Sequence, residues 1–170
     1  HNKDVRIENL NVQKEYIVIE TCKNGLTEME IRSLVTGKSR FVSFPEPVYN
    51  AYSSGNPEYD AATFRYSYTS LNRPTTLYEY DCTNGNTTLL KQQEIPSGYD
   101  KAQYETKRLW AVARDGVKVP ISIVWKKGTK LDGSNPTILY GYGGFEIPMA
   151  PNDCGTIGSG WLEAGGVWVL

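Results

Sequence analysis

The chain has 170 residues, with 18 basic and 19 acidic side chains and a formal net charge of −1. That balance excludes the basic footprint of a nucleic-acid-binding domain and a polybasic membrane patch, and no apolar run is long enough to cross a bilayer as a helix. Twelve tyrosines, four tryptophans and four phenylalanines favour strands over helices.

A repeat organises the first half. Tyr16-Ile17-Val18-Ile19-Glu20 and Phe64-Arg65-Tyr66-Ser67-Tyr68 lie 48 residues apart, as do Gly37 and Gly85, and Phe41-Val42 and Leu89-Leu90. Four short strands repeating at this period are the mark of a propeller blade. The first unit predicts strands over residues 15–21 and 26–34, joined at Lys23-Asn24-Gly25, then 39–44, with Pro45-Glu46-Pro47 closing the blade. The second predicts strands over 48–53, 62–69, 75–81 and 86–92, with turns at Asn72-Arg73-Pro74 and Asn84-Gly85. Two blades leave unpaired edges and half a core, so further blades are expected ahead of residue 1.

The pattern changes after Gln93. Residues 94–104 read as a linker. A hairpin over 105–114 and 117–126 turns at Asp115-Gly116. A charged loop over 126–135 follows, then Pro136 and a short apolar run, 137–140, that suits a strand buried on both faces. A glycine-rich loop, Gly141-Tyr142-Gly143-Gly144-Phe145, precedes a weak helix with Ile157, Trp161 and Leu162 on one side. Gly155, Gly158 and Gly160 weaken that helix by about 1 kcal/mol each. Gly165-Gly166 ends it, and 167–170 begins another buried strand. Strand, loop, helix and strand open a βαβ unit. Because the chain starts without Met and stops inside an apolar run, it reads as a piece of a longer chain.

The chemistry is sparse. Cys22, Cys82 and Cys154 are far apart and odd in number, against a disulfide framework and against zinc. They are expected to be buried or idle thiols in a reducing compartment, hence a cytoplasmic protein. His1 is the only histidine, so the chain cannot by itself hold a Ser-His-Asp or Cys-His site. Ser159 in Gly158-Ser159-Gly160 lacks the spacing of a nucleophile elbow. No dinucleotide or phosphate-loop fingerprint occurs, and neither cofactor nor metal is expected. Asp60, Asp81, Asp115 and Asp132 read as turn formers, Lys126-Lys127 as a solvated pair, and Trp110, Trp125, Trp161 and Trp168 as core. The informative segment is the loop after Tyr140. Glycines admit close backbone approach, and a tyrosine among them can aim a phenolic donor at developing negative charge. The same glycines could equally form no more than a tight turn.

Segment 108–122, Arg108-Leu109-Trp110-Ala111-Val112-Ala113-Arg114-Asp115-Gly116-Val117-Lys118-Val119-Pro120-Ile121-Ser122, followed by Leu139-Tyr140-Gly141-Tyr142-Gly143-Gly144-Phe145, resembles the prolyl oligopeptidase family of serine peptidases. Leu90-Lys91-Gln92-Gln93 and Phe64-Arg65-Tyr66-Ser67-Tyr68-Thr69-Ser70 resemble its oligopeptidase B branch. The resemblance covers residues 14–150. It implies a seven-bladed propeller capping an α/β-hydrolase domain. The fold expected here is therefore mostly β plus α/β: two C-terminal blades over residues 1–93, the linker 94–104, and the truncated start of the catalytic domain over 105–170. It also implies that Tyr142 is an oxyanion-hole donor, that Phe145 walls the P1 pocket, and that Gly143 and Gly144 meet substrate. Oligopeptidase B usually has Ser-Tyr where this chain has Gly144-Phe145, a form closer to the prolyl-specific branch. P1 preferences for Arg/Lys and for Pro thus both stand.

The parent expected from this reading hydrolyses short peptides by acyl transfer. The nucleophile, acid and base lie outside this chain, which alone is expected to be inactive. Its partners are short peptides and the remaining blades and catalytic domain of the same parent, with no nucleic acid and no membrane. The alternatives are a catalytically dead homologue and a propeller-type module that binds peptides or proteins.

Overall fold

Asn24 and Gly25 both adopt positive φ, 53° and 73°, the conformation a two-residue hairpin turn requires. They join strands β2 (Tyr16–Lys23) and β3 (Leu26–Ser33), paired from Tyr16↔Ser33 to Lys23↔Leu26. In this computed structural model, which describes residues 2–96, 98–147, 149–152 and 160–170, the same sheet holds β1 (Val5–Val12) and β4 (Ser39–Phe41), in the order β1-β2-β3-β4. Strand β1 has no clean alternation in sequence. A register shift between Ile7 and Asn9 interrupts its pairing with β2, and Ile7, Leu10 and Val12 are exposed. Strand β4 ends at Phe41, short of the expected residue 44. The Val42 N–H still reaches Met29 O at 3.0 Å, but the Phe44 ring stacks on Tyr68, 5.3 Å between centroids.

The second sheet repeats the first. It runs β5 (Asn50–Ser53), β6 (Thr63–Ser70), β7 (Arg73–Asp81) and β8 (Thr87–Gln92), paired in that order. The turn expected at Asn72-Arg73-Pro74 is instead Leu71-Asn72, and β7 starts at Arg73. Proline is tolerated at the start of a strand, where no ladder donor is needed. Gly85 takes positive φ as expected, 86°. Asp81, Asp115 and Asp132 are turn formers: each carboxylate accepts the N–H two residues on, from Thr83, Val117 and Ser134. Asp60 is exposed and pairs with Lys14 at 3.5 Å.

The chain divides into two compact units: His1–Pro45 with Asn50–Tyr68 and Thr75–Gln93, and Glu46–Tyr49 with Thr69–Pro74 and Glu94–Leu170. The core of the first unit contains Val18, Met29, Ile31, Phe64, Tyr66 and Tyr68, all buried. Burial pushes the Tyr66 phenol up to about 12 and, with the Asp81 charge beside it, the Cys82 thiol up to about 11. Glu20, 4% exposed, ties the two blade-like sheets. Its carboxylate accepts Asn9 Nδ2 at 2.9 Å, Ser53 N at 3.2 Å, and the Ser53 hydroxyl.

The second unit is built on a third sheet of different design. A single 3₁₀ turn, Lys101–Gln103, is capped by the Asp100 carboxylate. It leads into β9 (Tyr104–Val112), paired antiparallel with β10 (Lys118–Lys126). Then β11 (Thr137–Leu139) pairs parallel with β12 (Val167–Val169), which pairs antiparallel with β10. The order is β11-β12-β10-β9. Alternation puts Tyr104, Val124 and Trp168 on one face, and Ile123, Trp125, Val167 and Val169 on the other. The first face packs with Val48, Leu71 and Leu162, the second with Leu109. Trp125, Trp161 and Trp168 join these cores. Trp110 does not: it is 48% exposed near the far end of the hairpin, with the Arg108 guanidinium 5.7 Å from its ring centroid. Nor is β11 buried on both faces. It is an edge strand, and Leu139 is exposed. Residues 160–163 are helical. Ile157, Ser159, Gly155, Gly158 and Cys154 fall outside the described residues.

Two charged clusters fasten this unit. Glu46, its side chain 5% exposed, accepts Arg73 Nε at 2.9 Å and pairs with Lys101 Nζ. Glu163 accepts the Tyr104 hydroxyl at 2.8 Å and pairs with Lys126. Lys126 is therefore not the simple solvated charge its sequence context suggests. Tyr104 and Lys126 are cross-strand partners, so one carboxylate spans both strands.

Candidate functional site

The Gly141–Phe145 loop leaves the sheet at the end of β11, and its base is held from two sides. Tyr140 N–H donates to Val169 O at 2.9 Å, and the Tyr140 ring stacks on Trp168 with centroids 6.3 Å apart. Val167 N–H donates to Pro136 O at 2.9 Å, closing the parallel ladder. Behind this, Trp161 Nε1 donates to Val167 O at 3.0 Å. The indole lies so close over Gly166 that a β-carbon there would sit 2.3 Å from a ring atom. Gly165 supplies the positive φ, 85°, that ends the helical turn.

Beyond Tyr140 the backbone runs through Gly141, Tyr142 and Gly143 into a 3₁₀ turn, Gly144–Glu146, closed by Ile147 N–H to Gly144 O at 3.1 Å. Gly141, Gly143 and Gly144 all avoid the left-handed region. Phe145 occupies it, at φ 57° and ψ 31°, a conformation unusual for a bulky residue. Its side chain is 92% exposed, so it stands out from the surface and forms no packed wall with the described residues.

Tyr142 is 53% exposed, and its hydroxyl makes no hydrogen bond to any described residue. The ring folds back over Gly144. A β-carbon on Gly144 would lie 3.0 Å from Tyr142 Oη and 3.2 Å from Cζ. The structure thus brings Tyr142 and Gly144 together, leaves Gly141 and Gly143 with open space beside them, and directs Phe145 outward. A phenol in this setting can donate one hydrogen bond to an approaching acceptor.

Sequence reasoning missed one contact within the loop and one cluster elsewhere in the same unit. One is the Tyr142–Gly144 contact, which no spacing rule encodes. The other is Glu163, whose carboxyl is held below its ordinary value by the Lys126 ammonium first and the Tyr104 hydroxyl second. The expected hairpin about Asp115-Gly116 sets residue 105 opposite 126, whereas the observed register is one residue different and pairs Tyr104 with Lys126; neither that pair nor its meeting with Glu163 was readable from the sequence. Among the described residues no group of His, Cys, Asp and Glu could hold a metal ion, and no helix is long and apolar enough to cross a membrane.

Residues 1–93 match the family described as prolyl oligopeptidase, N-terminal beta-propeller domain. The chain is 37% identical over 153 residues to dipeptidyl aminopeptidase BI of Pseudoxanthomonas mexicana, covering 89% of this chain and 21% of that protein. It is 29% identical over 145 residues to protease 2 of Moraxella lacunata, covering 85% and 21% respectively. Among solved structures, oligopeptidase B from Trypanosoma brucei with covalently bound antipain, in its closed form, superposes over 99% of this chain and 25% of that one. The TM-score is 0.89 and the identity 29%. The chain spans 21% of the curated relatives' length. On the match of its first 93 residues and the extent of these similarities, the chain belongs to the prolyl oligopeptidase family.

Proposed function

We propose that the chain is the junction segment of a serine oligopeptidase. Residues 1–93 are its last two propeller blades, 94–104 a linker, and 105–170 the opening of an α/β-hydrolase catalytic domain. The parent cleaves short peptides by acyl transfer in the cytoplasm, with the serine nucleophile and its acid and base supplied by the rest of that protein. One observation carries the reading: the Tyr142 phenol is exposed at the exit of β11, with its hydroxyl not bonded to any described residue.

The chemistry follows from what each group can do. When a serine oxygen adds to a peptide carbonyl, the carbonyl oxygen becomes an anion. Tyr142 Oη donates a hydrogen bond to that oxygen and stabilises the tetrahedral intermediate more than the ground-state carbonyl. Gly143 carries no side chain to obstruct a peptide backbone beside the phenol. Phe145, projecting from the same turn, meets the P1 side chain. Cys82 takes no part: it is buried, and its raised pKa keeps it protonated at neutral pH.

The test is Tyr142→Phe in the full-length protein, assayed with a fluorogenic peptide under conditions where chemistry limits turnover. Loss of one oxyanion donor lowers kcat by about 10²–10³ and leaves KM little changed. An unaltered kcat overturns the assignment. Fluorophosphonate labelling of the wild-type parent separates an active serine peptidase from a dead, peptide-binding homologue.

A further inference from the structure

We propose that Tyr140 is a positioning residue for Tyr142: its ring, seated on Trp168, fixes the direction in which the loop leaves the sheet and so where the phenol stands. The inference rests on the reading of Tyr142 as the oxyanion donor and names the contact that holds the donor's loop to the core.

Trp168 is the cross-strand partner of Ile138 in the parallel pair of β11 and β12. Side chains two apart along a strand share a face, so Tyr140, two residues beyond Ile138, comes out on the face that carries Trp168. The two rings stack there, 6.3 Å between centroids and 27° between planes. Trp168 in turn packs against the buried cluster of Val48, Leu71, Tyr104, Val124 and Leu162. The backbone of Tyr140 is held as well, by its N–H bond to Val169 O at 2.9 Å. Past this residue the holds stop. Among the described residues, the backbone hydrogen bond within 141–147 is that of Ile147 N–H to Gly144 O, internal to the loop. Tyr142 lies against Gly144 of the same loop, and its hydroxyl bonds no described residue. The loop therefore hangs from residue 140, by one hydrogen bond and one ring contact. A single hydrogen bond lets the chain swing about it, and the seated ring removes that freedom. Two residues span at most about 7 Å, so a swing of about 10° at Tyr140 carries Tyr142 by about 1 Å. An oxyanion donor acts about 2.7–3.1 Å from the developing charge, so such a swing acts on the chemical step.

The experiment uses the full-length protein. Tyr140→Phe is made alone; Tyr140→Leu and Tyr140→Ala are made alone and in the Tyr142→Phe background. Phenylalanine keeps the stacked ring and is expected to hold kcat within about twofold of wild type. A displacement of 1 Å costs about 10²-fold in rate. Tyr140→Ala is therefore expected to lower kcat about 10–10²-fold, and Tyr140→Leu, which keeps an apolar contact without the ring, about 3–10-fold, with KM within about twofold for both. Both become silent once Tyr142 is Phe, because the donor they displace is already gone. Tyr140 is 47% exposed, so its truncation opens no closed cavity; should the alanine variant fail to fold by circular dichroism, the leucine variant carries the same comparisons. A wild-type kcat in both variants overturns the proposal if Tyr142→Phe is impaired. A defect that persists in the Tyr142→Phe background overturns it too, as does a Tyr140→Phe enzyme as slow as Tyr140→Ala. A Tyr142→Phe enzyme with unaltered kcat overturns the oxyanion reading itself and Tyr140's role with it.

Discussion

Replacing Glu46 by Gln tests whether a buried charge holds the second unit together. The Glu46 side chain is 5% exposed and serves two cations, Arg73 at 19% exposed and Lys101 at 41%. The amide keeps the shape of the carboxylate and removes its charge. Removing one partner of a buried pair costs about 3–5 kcal/mol, because the remaining charge stays desolvated. Lys101 can recover water, so its share is nearer the 0–1 kcal/mol of a surface pair. Arg73 recovers less, and its Nε loses a charged acceptor. The expected cost of Glu46→Gln is therefore about 3 kcal/mol, and that of Lys101→Met under about 1 kcal/mol. At about 2–4 °C per kcal/mol for a chain of this size, Glu46→Gln lowers the midpoint by about 6–12 °C in thermal melting followed by near-ultraviolet circular dichroism. If Glu46→Gln melts within 2 °C of wild type, or if Lys101→Met costs as much, the carboxylate is not acting through a desolvated pair with Arg73.

Gly166→Ala places a β-carbon 2.3–2.6 Å from the Trp161 ring. It should destabilise by about 2–4 kcal/mol, combining overpacking with loss of the indole bond to Val167 O; a urea-unfolding difference below about 0.5 kcal/mol would refute the contact. The depressed Glu163 carboxyl contributes stability that is full above its unfolded pKa of about 4.3 and is lost as pH falls through its lower folded value. In acid titration, Glu163→Gln should lessen the dependence of the melting midpoint on pH between about 4.3 and the lower folded value, and an unchanged slope would show that the pair with Lys126 carries no linkage.

The alternation of residues and the turn chemistry made much of the fold legible. The 48-residue spacing located both blade-like sheets, because a strand with one buried face must repeat every second residue and Asn24-Gly25 and Asn84-Gly85 mark where the chain reverses. Strand β1 escaped because its register shift breaks the period and its apolar side chains are exposed. The turn at Leu71-Asn72 escaped because Leu71 belongs to the core of the second unit, a tertiary demand that overrides the turn preference of Asn72-Arg73-Pro74. Likewise, Trp110 and Leu139 look like core in a one-dimensional pattern. Their exposure depends on which end of a hairpin, and which edge of a sheet, remains uncovered.

At the candidate site, residue types singled out the loop and its tyrosine, and the role expected of Tyr142 came from the resemblance to the prolyl oligopeptidase family. The tertiary structure decided how those residues divide the work. Glycine composition suggested close backbone approach or a tight turn at Gly141, Gly143 and Gly144; in the folded chain Phe145 is the left-handed residue, and Gly144 lies against the Tyr142 ring. Sequence specifies which conformations each residue can reach, since those limits are local sterics. Whether a glycine is present for its backbone or for the space beside it depends on which atoms the fold brings within van der Waals distance, and only the folded chain determines that.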